Sequence, residues 1–524
     1  MNYRIFKMSI NYKTMRTLIL ITLVLFQVCI GKAQTSLKDI NLKIGKYAVG
    51  FKHYTSIDST RTYRIHNEFN NRYINRPIPI SIWYPAASII NASKELTVLD
   101  YLEILKEEEE WKTLPNEFLL DWFPYLWNTP ENKAHLFEKG TAFYNSPSLD
   151  GKFPVVVYAP SYQASSIENF ALFEYLASNG FIVIASPSRG TDTRWLEGGT
   201  TKDMETQSRD VEFLLKEMHN YEYIDLDRIA LMGFSFGGLS NAITVMKNKK
   251  ISALVSLDGT ERYTYSVLEK SPYFNLDKFT VPYIHFAQKT IPEVVLSSDK
   301  IPAELNYKFQ LYDSIKYSNA YSYKFHNLTH SYFSSFGVLF TNRDKRQDKS
   351  DVEIMTSYKL LSEYTLQFLN ATLKNEESSK AFIENRPEKN GFPESLISKT
   401  MKKANETEFN YKNFNDLALR QNYQNLISLY KKTMAKYPKL QLEEGMLNTL
   451  GLRLSFNSSK GEQGINVFLL ALYIYPKSAN LYDSLAEAYL YKQDFQNAIS
   501  NYKKSLELNP ENQNAIDRLK QLKE

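Results

Sequence analysis

A doubly wound, mostly parallel α/β sheet with an inserted helical cap, followed by an all-helical repeat domain, is the fold this 524-residue chain predicts. Three observations predict it. Short apolar runs alternate with amphipathic stretches between Phe153 and Leu373, as parallel strands covered by helices on both faces require. The stretch from 92 to 150 breaks that alternation with a helical, tryptophan-rich pattern. Beyond residue 406 strand-like runs stop, and Pro476 and Pro510 mark a spacing of 34 residues.

The first 33 residues carry Arg4, Lys7, Lys13, Arg16 and Lys32 and no acid, around an apolar stretch from Leu18 to Ile30. With Gly31 and Ala33 as small residues before a cut, this pattern predicts a secretory signal peptide, removed after Ala33, and an exported protein, periplasmic or secreted. About 13 apolar residues are too few to span a bilayer well, so no stable membrane span is expected after cleavage. Cys29 is the single cysteine, so the exported chain would hold no disulfide and no cysteine nucleophile. Removing the five basic residues from the total of 63 leaves Lys and Arg equal in number to the 58 Asp and Glu. A neutral remainder argues against a nucleic-acid partner, which would need clustered positive charge.

From residue 40 to 375 the elements follow in order. Tyr47 to Phe51 and Pro77 to Trp83 read as strands. The insert, 92–150, contains "KEEEEWKTLPNEFLLDWFPYLW" and three of the five tryptophans, Trp111, Trp122 and Trp127; it reads as a helical lid over an apolar pocket or as a small core of its own. Then "FPVVVYAP" is a buried strand, "IENFALFEYLASNG" a helix stopped by Gly180, and "FIVIASP" a second buried strand. "METQSRDVEFLLKEMHNY" is a helix, "RIALMGFS" a strand, "GGLSNAITVMKN" a helix and "ISALVSLDG" a strand. "VPYIHFAQ" is the next strand and "TSYKLLSEYTLQFLNATL" a closing helix. Residues 376–405 are polar and contain Pro and Gly, which predicts a linker.

The segment 406–524 is helical in pattern. Counting back from Pro510, Tyr482, Leu485, Ala486, Tyr489, Ala498, Tyr502 and Ser505 fall where tetratricopeptide repeats place large, small and aromatic residues. Phe468, Ala471 and Pro476 echo the end of that unit, and a looser copy closes at Tyr437-Pro438. The segment resembles a short tetratricopeptide array, whose helix pairs bury their faces only by stacking. A protein partner or a self-contact through these helices is the expectation.

The chemistry centres on Gly233-Phe234-Ser235-Phe236-Gly237. Gly-x-Ser-x-Gly is common, but here a strand precedes it and a helix follows, the context of a nucleophile elbow. In such a turn the serine is strained and its hydroxyl stands clear at the carboxyl edge of the sheet. A serine nucleophile needs a general base, and the base needs an acid that fixes its tautomer, in the chain order Ser, Asp or Glu, His. Downstream histidines are His285, inside an apolar strand and read as a core residue, and His326 and His330 in "YKFHNLTHSYFSSF"; His330 is the preferred base. Asp258, directly after "ISALVSL", is preferred as acid over Glu293. No His-Glu-x-x-His or phosphate-binding glycine loop occurs, so neither metal nor cofactor is expected.

"GFSFGG", "SLDGT" 23 positions after the serine, and "HSYFSSF" resemble platelet-activating-factor acetylhydrolase and related dienelactone-hydrolase-like serine esterases of the α/β-hydrolase superfamily. "RPIPISIWYPA", "FPVVVYAPSYQ" and "LASNGFIVIASPSRGT" extend the likeness over roughly residues 45 to 370. The resemblance implies an esterase with Ser235 as nucleophile, Asp258 as acid and His330 as base, acting on a small-molecule or lipid-like ester. It also implies an oxyanion hole from the backbone N–H groups of Phe236 and Tyr162. Two positions depart from the pattern: Phe234 stands where the family has histidine, and Pro160-Ser161-Tyr162-Gln163 where it has His-Gly-Leu-Gly. The rival readings are an acyltransferase or peptidase with the same residues, or an inactive hydrolase-fold scaffold working through its repeats.

Overall fold

The computed structural model describes residues 36–66, 71–87, 94–122, 127–340, 348–405 and 409–522. The predicted signal peptide and its cleavage site lie outside the described residues. The chain divides into two compact units, one ending at Asn405 and one beginning at Glu406.

The first unit is built on one sheet of eleven strands in the order β11-β10-β9-β8-β7-β5-β6-β2-β1-β4-β3. β1 (Ala48–His66) and β2 (Asn71–Ala86) form a long antiparallel hairpin. β5 (Phe153–Ala159), β6 (Ile182–Ala185), β7 (Ile224–Phe234), β8 (Ile251–Leu257), β9 (Tyr283–Ala287) and β10 (Ala320–Phe325) run parallel to one another and make the centre. Their near-continuous apolar sequence follows from burial on both faces. Along β5, Val156 and Tyr158 enter the core that holds α2 (Phe170–Ser178) and α5 (Asp351–Leu373), while Val155 and Val157 enter the opposite one, with α3 (Thr201–Glu217) and α4 (Phe236–Lys247). α3 and α5 each start at a capping box, Thr200 with Asp203 and Ser350 with Glu353, which satisfies first-turn N–H groups.

Two expectations need correction. Residues 376–405 are not a linker: α6 (Glu377–Glu384) packs on α5, and β11 (Ile397–Lys402) pairs antiparallel with β10 as the edge of the sheet. Ile383 and Ile397 are buried in the main core, and Gly391, with φ 89°, takes the left-handed turn between helix and strand. The insert is not purely helical either. β3 (Glu95–Thr97) and β4 (Lys139–Tyr144) extend the sheet beyond β1, and α1 (Val98–Glu108) lies between them in sequence. Tyr101, Leu102 and Leu105 of α1 belong to the main core rather than to a separate one. The helix ends within "EEEE", at Glu108, where negative charge at a carboxyl end is unfavourable.

The second unit is helical throughout its described residues: α7 (Tyr411–Arg420), α8 (Leu426–Lys436), α9 (Glu444–Ser455), α10 (Gly461–Ile474), α11 (Ala479–Tyr491), α12 (Phe495–Leu508) and α13 (Gln513–Gln521). Pro438, Pro476 and Pro510 each stand two residues past a helix, where proline prevents continuation. Gly451 admits the Phe468 ring, 2.7 Å from where its Cβ would be, so α9 and α10 pack closely.

Candidate active site

Ser235 sits between β7 and α4 with φ 52° and ψ −117°, a backbone region that costs a non-glycine residue about 1–3 kcal/mol. The flanking glycines explain how the turn is held. A Cβ on Gly233 would stand 2.3 Å from the Gly237 carbonyl carbon, and one on Gly237 would stand 1.9 Å from the Ala159 carbonyl oxygen. Strand, turn and neighbouring strand therefore approach closer than any side chain allows, and Ser235 is presented above the carboxyl edge of the sheet. The amino end of α4 adds a favourable dipole for negative charge at that point.

The structure brings Ser235, His330 and Asp258 together in one hydrogen-bonded chain. His330 Nε2 is 2.9 Å from Ser235 Oγ, and His330 Nδ1 is 2.6 Å from Asp258 Oδ2. A carboxylate only accepts, so Nδ1 carries the proton and Nε2 is left to accept from the serine hydroxyl. Asp258, itself at φ 42°, is fully buried and receives the Gln288 N–H (3.0 Å) and the Tyr263 hydroxyl (3.1 Å) on Oδ1. Burial pushes its carboxyl up, but the His330 hydrogen bond and the nearby Arg262 guanidinium outweigh that and hold it below the usual value. It is thus an anion placed to stabilise an imidazolium.

Gln288 and Tyr263 were not singled out by the sequence. Gln288 accepts the His330 backbone N–H on Oε1 (3.1 Å) and donates through Nε2 to the Tyr263 hydroxyl (2.8 Å), linking the His330 segment to the Asp258 surroundings. Phe234 packs on the His330 imidazole with 5.1 Å between ring centroids. The rejected candidates lie elsewhere. His326 Nε2 pairs with Ser398 Oγ (3.0 Å), and Glu293 is exposed at the start of a short helix. His285 is fully buried beside Ser256, Glu261 and Tyr283.

A cavity of about 220 Å³ opens onto Ser235 and His330, lined further by Ser161, Tyr162, Glu168, Phe234 and Phe336. None of the described residues of the insert lines it, and Trp127 is half-exposed. Tyr162 packs edge-on against Phe236, with 5.9 Å between ring centroids, so the two residues predicted to supply oxyanion donors are neighbours. Among the described residues, no group of three or more His, Cys, Asp or Glu is disposed to hold a metal ion. No described helix is long and apolar enough to cross a membrane.

Residues 168–282, which include the elbow and Asp258, match the prolyl oligopeptidase family. Among curated proteins this chain is similar to esterase FrsA of Salmonella typhi, 32% identical over 100 residues, or 18% of this chain and 23% of the relative. Esterase FrsA of Shigella boydii serotype 18 is 26% identical over 121 residues, 22% of this chain and 28% of the relative. The chain spans about a quarter of the length of the curated relatives it matches. Among solved structures, a ferulic acid esterase from Streptomyces cinnamoneus aligns with a TM-score of 0.46 and 16% identity, over 63% of this chain and 92% of that one.

Proposed function

We propose that this chain is an exported serine hydrolase that cleaves a carboxylic ester through an acyl-enzyme. The hydrogen-bonded chain from Ser235 through His330 to Asp258, set on a strained elbow, carries the reading. Ser235 Oγ attacks the ester carbonyl carbon while His330 Nε2 takes its proton, and Asp258 stabilises the resulting imidazolium. The carbonyl oxygen becomes an oxyanion held by the N–H groups of Phe236 and Tyr162. Collapse expels the alcohol, protonated by His330. A water then gives its proton to His330 and attacks the acyl carbon, releasing the acid and the serine.

Esters are favoured by the names of the FrsA relatives and by the likeness to platelet-activating-factor acetylhydrolase. A second reading, peptide cleavage by the same residues, is favoured by the match of 168–282 to the prolyl oligopeptidase family. The basic and apolar N-terminus supports export, and the helix ends at Pro438, Pro476 and Pro510 support a tetratricopeptide-like unit that holds a partner or a second copy. The test is a chromogenic ester series of rising acyl length beside chromogenic peptides, run with the parent and Ser235→Ala. Ester turnover lost in the variant is expected; peptide turnover alone would favour the second reading, and no Ser235-dependent turnover of either would overturn both.

A further inference from the structure

The loop where family glycines are missing is held in a different way. Ser161 directs both its backbone N–H (3.0 Å to Oε2) and its hydroxyl onto the Glu168 carboxylate, which also accepts the Tyr158 hydroxyl (3.0 Å). Further along, Ser165 and Ser166 donate their hydroxyls, and Ser166 its N–H (3.0 Å), to Glu108 at the end of α1. Arg189 caps the Glu108 carbonyl oxygen. Glu108 is 1% exposed and Glu168 is 6% exposed. Two buried carboxylates thus collect the three serines of a single segment, Ser161–Ser166, which contains Tyr162 and the left-handed Gln163 (φ 57°). Burying a carboxylate is expensive unless several donors converge on it, so each must be matched by hydrogen bonds of this kind. Glu168 also ties this segment to the base, since its carbonyl accepts the Phe336 N–H (3.2 Å), and Asn169 Oδ1 accepts the Ser335 N–H (3.0 Å), just beyond His330.

We propose that Glu168 and Glu108 are positioning residues that brace the Ser161–Ser166 loop and so hold the Tyr162 N–H toward the oxyanion, in place of a glycine-rich turn. The inference rests on the ester-hydrolase reading. It gives the insert a role as a buttress, because α1 supplies Glu108. A donor held in place acts mainly in the transition state, where charge on the carbonyl oxygen is largest, so loosening it lowers kcat more than it alters KM.

The experiment compares the full chain with Glu168→Gln, Glu108→Gln and the milder Ser161→Ala, each checked for folding by circular dichroism. Turnover of p-nitrophenyl acetate is measured together with the KM. Each Gln variant is expected to lose at least about tenfold in kcat, toward the ~100-fold that deleting an oxyanion donor costs, with KM within about threefold. Ser161→Ala keeps its N–H bond and is expected to lose less, and adding it to Glu168→Gln is expected to cost little more. Folded variants with parental kcat, or losses confined to KM, would overturn the brace while leaving the hydrolase reading intact. Should a Gln variant not fold, parental kcat in Ser161→Ala would count against the proposal equally. A parent chain without Ser235-dependent turnover would overturn both.

Discussion

The elbow at Ser235 and the loop at Tyr162 face the same cavity yet are built by opposite means. At the elbow the backbone does the work: Gly233 and Gly237 remove side chains so that β7, α4 and β5 can close on one another. At the loop the backbone carries ordinary residues and buried side chains do the holding, Glu168 on Ser161 and Glu108 on Ser165 and Ser166. Gln163 adds a further tie, donating through Nε2 to the Arg194 carbonyl (2.7 Å) and accepting the Leu196 N–H (3.0 Å). The contrast teaches that a backbone segment beside the same cavity can be fixed by removing atoms or by adding hydrogen bonds.

The comparison can be broken first at the elbow. Gly237→Ala would drive its Cβ into the Ala159 carbonyl, and the close approach involves backbone on both sides. A stability loss of about 3 kcal/mol or more is expected in chemical denaturation, the upper end for overpacking, because no side chain can rotate away. A cost below about 1 kcal/mol would mean that the elbow is looser than its geometry.

A second test uses pH at the loop. Burial raises the Glu168 carboxyl from its ordinary 4.5 to about 7 against the lowering effect of the Ser161 and Tyr158 hydrogen bonds and of nearby His330. A carboxyl whose folded value is raised binds its proton more tightly in the folded state. Its stabilising share is therefore full below about 4.5 and is lost as pH rises through about 7. The parent is expected to lose about 3 kcal/mol relative to Glu168→Gln across that window, from a shift of roughly two pH units or more. Working with the difference cancels other groups, among them His53, which burial holds down at about 4 and which changes stability in the opposite sense. A pH-independent difference would show that Glu168 titrates normally.

The smallest effect sharpens the contrast directly. Gln163→Gly removes both the side chain and the positive-φ constraint at this position. It relieves a left-handed backbone but gives up two side-chain hydrogen bonds, so stability should move by less than about 1 kcal/mol. A larger destabilisation, read by thermal unfolding, would assign the loop's rigidity to Gln163 rather than to the carboxylates.

The same contrast explains what was legible in the sequence. Elements that depend on backbone chemistry announce themselves: the glycines around Ser235, and the apolar runs of the parallel strands. Asp258 and His330 could be found because chain order and strand ends leave few alternatives. Glu168 and Glu108 could not, since one of two acids in "SSIENFALFEYLA" or one of four in "KEEEEW" reads as a surface charge until its serine partners are seen. One signal was available: α2 is buried along its whole length, and an acid at the mouth of so apolar a segment calls for a partner. The edge strand β11 is masked in the sequence because six residues with three lysines or serines alternate too weakly to outweigh Pro387, Gly391 and Pro393. In the insert, β3 and β4 span only three and six residues, too short for a period of two to stand out from the helix beside them.

The most direct measurement is intact-mass analysis of the chain after reaction with a fluorophosphonate, which loses fluoride to an activated serine. One adduct per chain is expected, mapped to Ser235 by peptide sequencing, absent in Ser235→Ala and strongly slowed in His330→Ala. An unlabelled parent, or an adduct at any other serine, would contradict the assignment of Ser235 as the nucleophile.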